Sequence, residues 1–448
     1  MGRGVRARRA LGAVPPPAPE QGEVAALNHE GAGIVRAGKS VFIPGALPGE
    51  QVRFQRRRHH RRHDDGELLA VLAPSAARVE PRCAHFRVCG GCALQHLAPE
   101  AQRELKQREL ADSLERVGRV APRRWLAPIA DAPWGYRRRA RLGVKYVERK
   151  GRVVVGFRER DSNLIAALER CEVLASPVGA LIAPLAELIT ALSVRERLPQ
   201  IEVAVADGGV ALVLRVLEPP SIEDIERLRE FERAHTVRLY LQASGIESVR
   251  ALTEPAPALH YGLPEAGLEL EFQPTDFIQI NGAVNRLLVA AAAELLELTP
   301  QARVLDLYCG LGNFTLSLAR RARSVLGVEG DAGLIERARR NALRNGISNA
   351  EFVRVDLSGA LAGSPWLAQP HSHVLLDPPR IGARELLPEI ARLAPQRLLY
   401  VSCHPGTLAR DLGLLVHEYG FDLLAAGVVD MFPHTAHVES LALLAPRA

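Results

Sequence analysis

No stretch of the 448-residue chain is apolar for long enough to form a membrane-spanning helix. Arginines and prolines crowd the first twenty residues, but the continuous apolar core of a secretory signal is missing there. The expected compartment is therefore cytoplasmic, with no membrane partner and no obligatory protein partner. Cysteine is scarce, with six in all. In a reducing compartment these stay as thiols or bind metal, so a disulfide framework is excluded. Repeats at a fixed period are absent too, and beyond the proline-rich start there is no low-complexity tract, which excludes solenoids and arrays.

What is present describes a globular protein. The length calls for two or three domains. With 47% apolar and 24% charged residues and a net charge of +6, the chain leans basic, a balance that favours a polyanionic partner. Much of that charge is clustered. Arg56, Arg57, Arg58, His59, His60, Arg61, Arg62 and His63 follow one another with no acidic residue among them. Such a block reads as a solvated loop or an RNA-contacting one.

Three regions follow a short basic and proline-rich start at residues 1–20, expected to be flexible. In residues 21–75, short apolar runs at 24–27, 33–35, 40–43, 52–54 and 68–72 alternate with turn residues. That rhythm predicts a small β-barrel, with the arginine run as a loop between its last two strands. Residues 76–275 mix strand-like runs with a helix over 178–192 and read as an α+β domain. Before them, helical spacing over 100–117 puts Leu105, Leu110 and Leu114 on one side. In residues 276–448, apolar strands at 303–308, 325–329, 351–355, 373–377 and 397–402 alternate with helical segments. This predicts a Rossmann-like α/β domain with a parallel sheet, whose ligands gather beyond the carboxyl ends of the strands.

The first of those strands runs into Asp306-Leu307-Tyr308-Cys309-Gly310-Leu311-Gly312-Asn313 and then a helix. The glycines allow a tight turn and close approach to a ligand, and the helix start offers unpaired N–H groups. Glu329 closes the second strand, nineteen positions after Gly310, where such folds keep a carboxylate for ribose hydroxyls. The third glycine of the dinucleotide fingerprint is absent, so S-adenosylmethionine fits better. The fourth and fifth strands end at Asp377-Pro378-Pro379-Arg380 and at Ser402-Cys403-His404-Pro405, so Asp377 and Cys403 should face one cleft.

A cysteine at a strand end is commonly a small buried hydrophobe. Methylation of a uracil gives it another task. C5 of uracil is too weak a nucleophile to attack a sulfonium methyl, but addition of a thiolate to C6 makes C5 an enolate carbon that can. A base must then take the C5 proton so that the sulfur leaves, and Glu439 is the candidate. A cysteine at a helix start gains thiolate character from the backbone dipoles, and Pro405 suits the first turn. The target base must be flipped or single-stranded to be reached.

At these residues the sequence resembles the RNA uracil-5-methyltransferases of the TrmA type, through residues 377–382, Ser402-Cys403 and residues 430–439. The resemblance implies Cys403 as nucleophile, Glu439 as base, and Gln279, Tyr308, Asn313, Glu329, Asp356 and Asp377 around S-adenosylmethionine. His404 stands where the family usually has asparagine, and Asp356 where some members have that amide. Residues 31–73 resemble the TRAM domain, an OB-like RNA-binding barrel. Together with Cys83, Cys89, Cys92 and a later Cys171 this is the pattern of the RlmD branch, which acts on 23S ribosomal RNA. Four thiolates suit zinc or an iron–sulfur cluster, and their spacing does not choose; the resemblance implies 4Fe–4S. Radical enzymes leave one iron without a cysteine, a place that Cys171 fills here. Phosphate contacts are expected from residues 56–62 and from part of 137–141, against ion pairs within the domain as the other reading of the latter. Transfer RNA is the alternative substrate, and a non-catalytic RNA-binding module is the alternative class.

Overall fold

The computed structural model describes residues 18–359 and 364–447. The start predicted at 1–20 lies almost wholly outside the described residues. The chain forms two compact units, Met1–Glu80 and Pro81–Ala448.

In the first unit, β1 (Glu20–Leu27), β2 (Ala32–Ala37), β3 (Lys39–Pro44), β4 (Gln51–His59) and β5 (His63–Ala73) close a barrel in the order β1-β2-β3-β5-β4. Alternation decides which side chains go in: Val52 and Phe54 are buried while Arg53 between them is exposed. Gly66 is required, because a Cβ there would lie 2.8 Å from Val41. The arginine run is not the loop expected. Most of it is strand, and the hairpin closes tightly with His60 N–H donating to His63 O at 3.0 Å. Arg56 serves the barrel, bonding Glu20 at 2.8 Å and the buried Asp64 at 2.6 Å, and Arg57 pairs with Glu67. Arg58, Arg61 and Arg62 are exposed, without an ion pair among the described residues.

The second unit opens with the cysteine-bearing loop, then α1 (Pro99–Ser113) and β6 (Arg124–Trp125). A six-stranded sheet follows, built from β7 (Arg139–Val147), β8 (Arg152–Gly156), β9 (Gln200–Ala206), β10 (Gly209–Arg215), β11 (Arg238–Gln242) and β12 (Arg250–Ala251). The helices α2 (Ile182–Thr190) and α3 (Ile222–His235) pack on it through Leu185, Ile189, Leu228 and Phe231. A hairpin, β13 (Leu259–Leu263) and β14 (Leu268–Phe272), leads to the last region.

There, α4 (Gly282–Leu295), β15 (Arg303–Leu307), α5 (Thr315–Ala319), β16 (Ser324–Glu329), α6 (Ala332–Arg344), β17 (Ala350–Arg354), β18 (His373–Leu376), α7 (Leu387–Leu393), β19 (Arg397–Ser402), α8 (Pro405–His417), β20 (Phe421–Val429) and β21 (Glu439–Pro446) follow in chain order. The eight-stranded sheet runs β17-β16-β15-β18-β19-β21-β20-β6. It is parallel from β17 to β19, and β21 enters antiparallel beside β19. The strands are apolar on both faces because both are covered. Leu375 and Leu399 meet the core shared with α4 and α6, while Leu376 and Tyr400 meet the one shared with α7 and α8.

A boundary at 275/276 does not separate two bodies in space. Leu110 and Leu114 pack in the core with α8, and β6 pairs with β20 in the last sheet. Of the face expected for the 100–117 helix, Leu110 and Leu114 are buried as expected, and Leu105 is not. Leu105 is half-buried, and the buried positions within α1 are Gln102, Lys106 and Leu110. None of the described helices is long and apolar enough to cross a membrane.

Candidate active site

Strand direction assembles the site. The parallel strands β15, β16, β18 and β19 all end at one edge of the sheet, which delivers the 308–314 loop, Glu329, Asp377 and Cys403 to that edge. Because β21 runs the opposite way, its first residue, Glu439, arrives there as well. The register makes the juxtaposition closer still. Ser402, the last residue of β19, pairs with Ser440, so Cys403 and Glu439 both lie just beyond that pair at the same edge, near enough for the Glu439 carboxyl to act on the thiol.

Cys403 sits just before α8. His404 is the N-cap of this helix, its Nδ1 accepting from Thr407 N–H at 3.2 Å, and Pro405 takes the first turn. The imidazole thus does the capping work of the asparagine expected there. Helix-start dipoles do not win at the thiol. Burial first, then the carboxyl groups of Glu439 and Asp377, push Cys403 above the ordinary thiol range, with Arg380 pulling the other way. Burial and Asp377 likewise raise Glu439 to about 8, opposed by Lys106 and Arg380. Burial raises Asp377 to about 7. This is a desolvated cleft in which acids keep their protons near neutrality.

The cofactor side is shaped by backbone. Tyr308 adopts a φ of 65°, unusual for a residue with a side chain, followed by Gly310 at 56° and Gly312 at 97°. Glu329 is aimed by three N–H groups: Gly310 at 3.2 Å, Gly330 at 2.7 Å and Asp331 at 3.0 Å. Asp306, fully buried beneath the loop, accepts from the Thr315 hydroxyl at 2.5 Å, and burial lifts it to about 7. Asn313 accepts from Tyr261 O–H at 3.0 Å and forms a reciprocal amide pair with Asn285 at 2.9 and 3.0 Å. Asp356 is exposed and accepts from the Ser358 hydroxyl and N–H. Gln279, half-buried, lies in the segment between β14 and α4.

The family described as "tRNA (Uracil-5-)-methyltransferase" matches residues 135–447. The chain belongs to this family. Within it, the similarity to curated relatives runs end to end. The chain is 49% identical over 440 residues to the "23S rRNA (uracil(1939)-C(5))-methyltransferase RlmD" of Alkalilimnicola ehrlichii, covering 98% of each chain. It is 51% identical over 428 residues to the protein of the same name from Nitrosococcus oceani, covering 95% of this chain and 96% of that one. Among solved structures, the Pyrococcus abyssi tRNA (uracil-54, C5)-methyltransferase in complex with S-adenosyl-L-homocysteine superposes with a TM-score of 0.73 at 24% identity. It covers 95% of this chain and 100% of that one, a likeness of fold.

For this family member, two charged residues escaped the sequence reading. Arg380, directly after the Asp-Pro-Pro turn, reaches His437 at 3.2 Å and opposes the upward shifts of both Cys403 and Glu439. Its place in the 377–382 motif was the available signal. Lys106 comes from α1, more than three hundred residues upstream of its partner Asp430, and nothing local in the sequence marked it. The arginines at 137–141 are mostly not available for phosphate. Arg138 pairs with Asp207 at 2.7 Å, Arg139 and Arg141 share Glu202, and Arg137 lies over the Phe157 ring. Ion pairing within the domain accounts for the largely covered Arg138 and Arg139, while Arg141 keeps 70% of its side chain exposed beside Glu202.

The four clustered cysteines do meet. Cys92, Cys83 and Cys171 pack with Phe86, Tyr136 and Val173, and Cys89 borders them. Burial, with the other thiols adding to it, raises Cys89 to about 11 and Cys92 to about 12. The wrapping is close: a Cβ on Gly90 would lie 2.9 Å from Arg158 O, and one on Gly179 would lie 2.3 Å from Cys171 O. Arg160 donates to Cys92 O at 2.8 Å.

Proposed function

We propose that the protein transfers a methyl group from S-adenosylmethionine to C5 of a uridine in 23S ribosomal RNA, the position being the one named for its relatives, 1939. The observation that carries this is that Cys403 and Glu439 lie just beyond the Ser402–Ser440 pair at one edge of the sheet, near enough for the Glu439 carboxyl to act on the thiol. Two end-to-end relatives near 50% identity bear the 23S name, which favours ribosomal over transfer RNA. A binding module without catalysis would have no use for both reacting groups.

The residues divide the work. Cys403 adds through its sulfur to C6 of the flipped uracil, and C5 becomes nucleophilic. S-adenosylmethionine, when bound, supplies the electrophilic methyl that C5 takes. Glu439 then removes the C5 proton, the C5–H electrons re-form the C5–C6 double bond, and the sulfur leaves as thiolate. Glu329, with its oxygens already aimed by three N–H groups, suits the ribose hydroxyls. Tyr308, Gln279, Asn313, Asp356 and Asp377 complete the surroundings of the cofactor. The test is to map 5-methyluridine in ribosomal and transfer RNA from a deletion strain, complemented by the wild-type gene. Loss and restoration at one 23S position is expected. An unchanged pattern contradicts the assignment.

Acidity should show in the rate. Both reacting groups must lose protons that the cleft holds, Glu439 at about 8 and Cys403 above its ordinary range. An acid with a raised pKa is protonated below that value, so kcat, which includes the proton removal after methyl transfer, should climb with pH up to about 8 and less steeply beyond it. A flat profile between neutral and alkaline pH would contradict this ordering.

The cysteine site fits a 4Fe–4S cluster, with Cys83, Cys89, Cys92 and Cys171 as ligands. Four thiols gathered under close backbone wrapping suit a four-cysteine centre, and the resemblance of the cysteine pattern to the family branch favours 4Fe–4S over zinc. Anaerobically purified protein should be brown with broad visible absorption, and Cys92→Ser should bleach it. A colourless protein containing zinc would overturn the proposal.

On the barrel, Arg58, Arg61 and Arg62 are the proposed phosphate contacts. Changing all three to alanine should weaken RNA binding and reduce the salt slope of the affinity by about 2. An unaltered slope would remove the barrel hairpin from the RNA interface.

A further inference from the structure

The buried face of α1 is chemically odd. Two of its three buried positions, Gln102 and Lys106, are polar, each 1% exposed, one helical turn apart. Buried polar groups are retained where they have partners, and the partners here lie together. Lys106 Nζ donates to Asp430 Oδ1 at 2.7 Å and to Phe432 O at 2.9 Å. Gln102 Oε1 accepts from His434 N–H at 2.7 Å, while its amide nitrogen is 3.2 Å from His434 Nδ1.

The partners of Lys106, and His434 among those of Gln102, belong to the 430–438 segment, which leads straight into Glu439, while the Gln102 amide also donates to Leu94 O at 3.0 Å and Leu97 O at 2.7 Å. The same segment is fastened further by Tyr136 O–H donating to Pro433 O at 3.0 Å, and by Ala93 and Leu94 N–H donating to His434 O at 2.8 and 2.9 Å. His434 itself has a φ of 65°, a left-handed conformation that a residue with a side chain keeps only when its surroundings enforce it. Its ring packs against Trp134 at a tilt of 31°, with centroids 3.9 Å apart.

We propose that Gln102 and Lys106 are positioning residues for the proton-removing step. By gripping the 430–438 segment at Asp430, Phe432 and His434, they hold the Glu439 carboxyl where it reaches the C5 proton of the uracil. The inference rests on the reading of Glu439 as base. Neither residue touches the pyrimidine. Sulfur addition and methylation precede this step and use Cys403 on another strand, so they should not depend on the grip. The proton goes to the Glu439 carboxylate, and the C6–S bond breaks as the double bond forms. If the carboxylate is displaced, the methylated adduct persists with sulfur still bonded to C6.

Gln102→Leu leaves the His434 N–H without its acceptor. The double variant Lys106→Met, Asp430→Leu replaces the ion pair by apolar side chains of similar volume, an exchange that buried pairs tolerate without loss of fold. Two rates are compared in the full chain: covalent trapping on RNA containing 5-fluorouridine, which stops before proton removal, and turnover on ordinary RNA. Trapping at the wild-type rate is expected, with turnover lower by roughly a hundredfold and a methylated protein–RNA adduct accumulating on ordinary RNA. Turnover at the wild-type rate, or trapping and turnover falling in parallel with no adduct, overturns the proposal. If Gln102→Leu does not fold, as judged by its melting temperature, the double variant decides alone. A wild-type protein that fails to trap fluorinated RNA would instead refute the methyltransferase mechanism itself, and the grip with it.

Discussion

Cys403→Ala is expected to abolish 5-methyluridine formation, lowering the rate by about five orders of magnitude or more, since no other group can supply the covalent bond to C6. The reason lies in the geometry around the thiol. It is the one sulfur at the strand edge half-open to the cleft; Cys309 nearby is buried and raised well above the ordinary thiol range by burial, Asp306 and Glu329. Cofactor and RNA should still bind to the alanine variant, because Glu329 and the backbone turn at 308–312 do not involve Cys403. Retained binding with lost chemistry distinguishes a missing nucleophile from a damaged fold. Methylation measured by tritium release from C5-labelled RNA checks this, and residual turnover in the alanine variant would place the nucleophile elsewhere.

Glu439→Gln should give a different failure. Turnover is expected to fall by about a thousandfold, yet the protein should accumulate as a methylated covalent adduct on unmodified RNA. Addition and methyl transfer need no base at C5; only release does. The amide has the size of the carboxyl group and cannot take the proton. Removing this acid also relieves one of the influences that raise Cys403, so adduct formation should be no slower than in the wild type. Gel retardation under denaturing conditions measures it. A glutamine variant that loses turnover without any adduct would assign Glu439 to binding or to the earlier steps.

Much of this was legible before any coordinates, for identifiable reasons. Each of the five barrel runs and each of the five parallel strands was written in local apolar pattern, because a strand buried on one or both faces must show it. The cofactor turn was legible in Gly310 and Gly312, whose positive φ values only glycine adopts without strain. Where reading failed, long-range pairing had overridden local pattern. A block of like charge looked like a loop, but Glu20, distant in sequence, and Asp64, just across the hairpin, neutralise Arg56 and let it lie in β4. Arginines at 138 and 139 looked available until Asp207 and Glu202 arrived from other strands. On α1 the inward place of Leu110 was legible, but apolar spacing favoured Leu105 where a buried ion pair with Asp430 turns Lys106 inward. Tyr308 in the left-handed region left no trace in composition or spacing.

The cysteine loop and the segment leading into Glu439 meet through Ala93 and Leu94, immediately after Cys92. The proposed centre would, by fixing this loop, steady the segment that carries the proposed base.

The most direct test is to incubate the wild-type protein with S-adenosylmethionine and a 23S fragment carrying 5-fluorouridine, then to sequence the linked peptide by mass spectrometry. A stable conjugate whose pyrimidine is methylated and joined to the sulfur at position 403 is the outcome required. Absence of any conjugate, or attachment through a different residue, would contradict the mechanism.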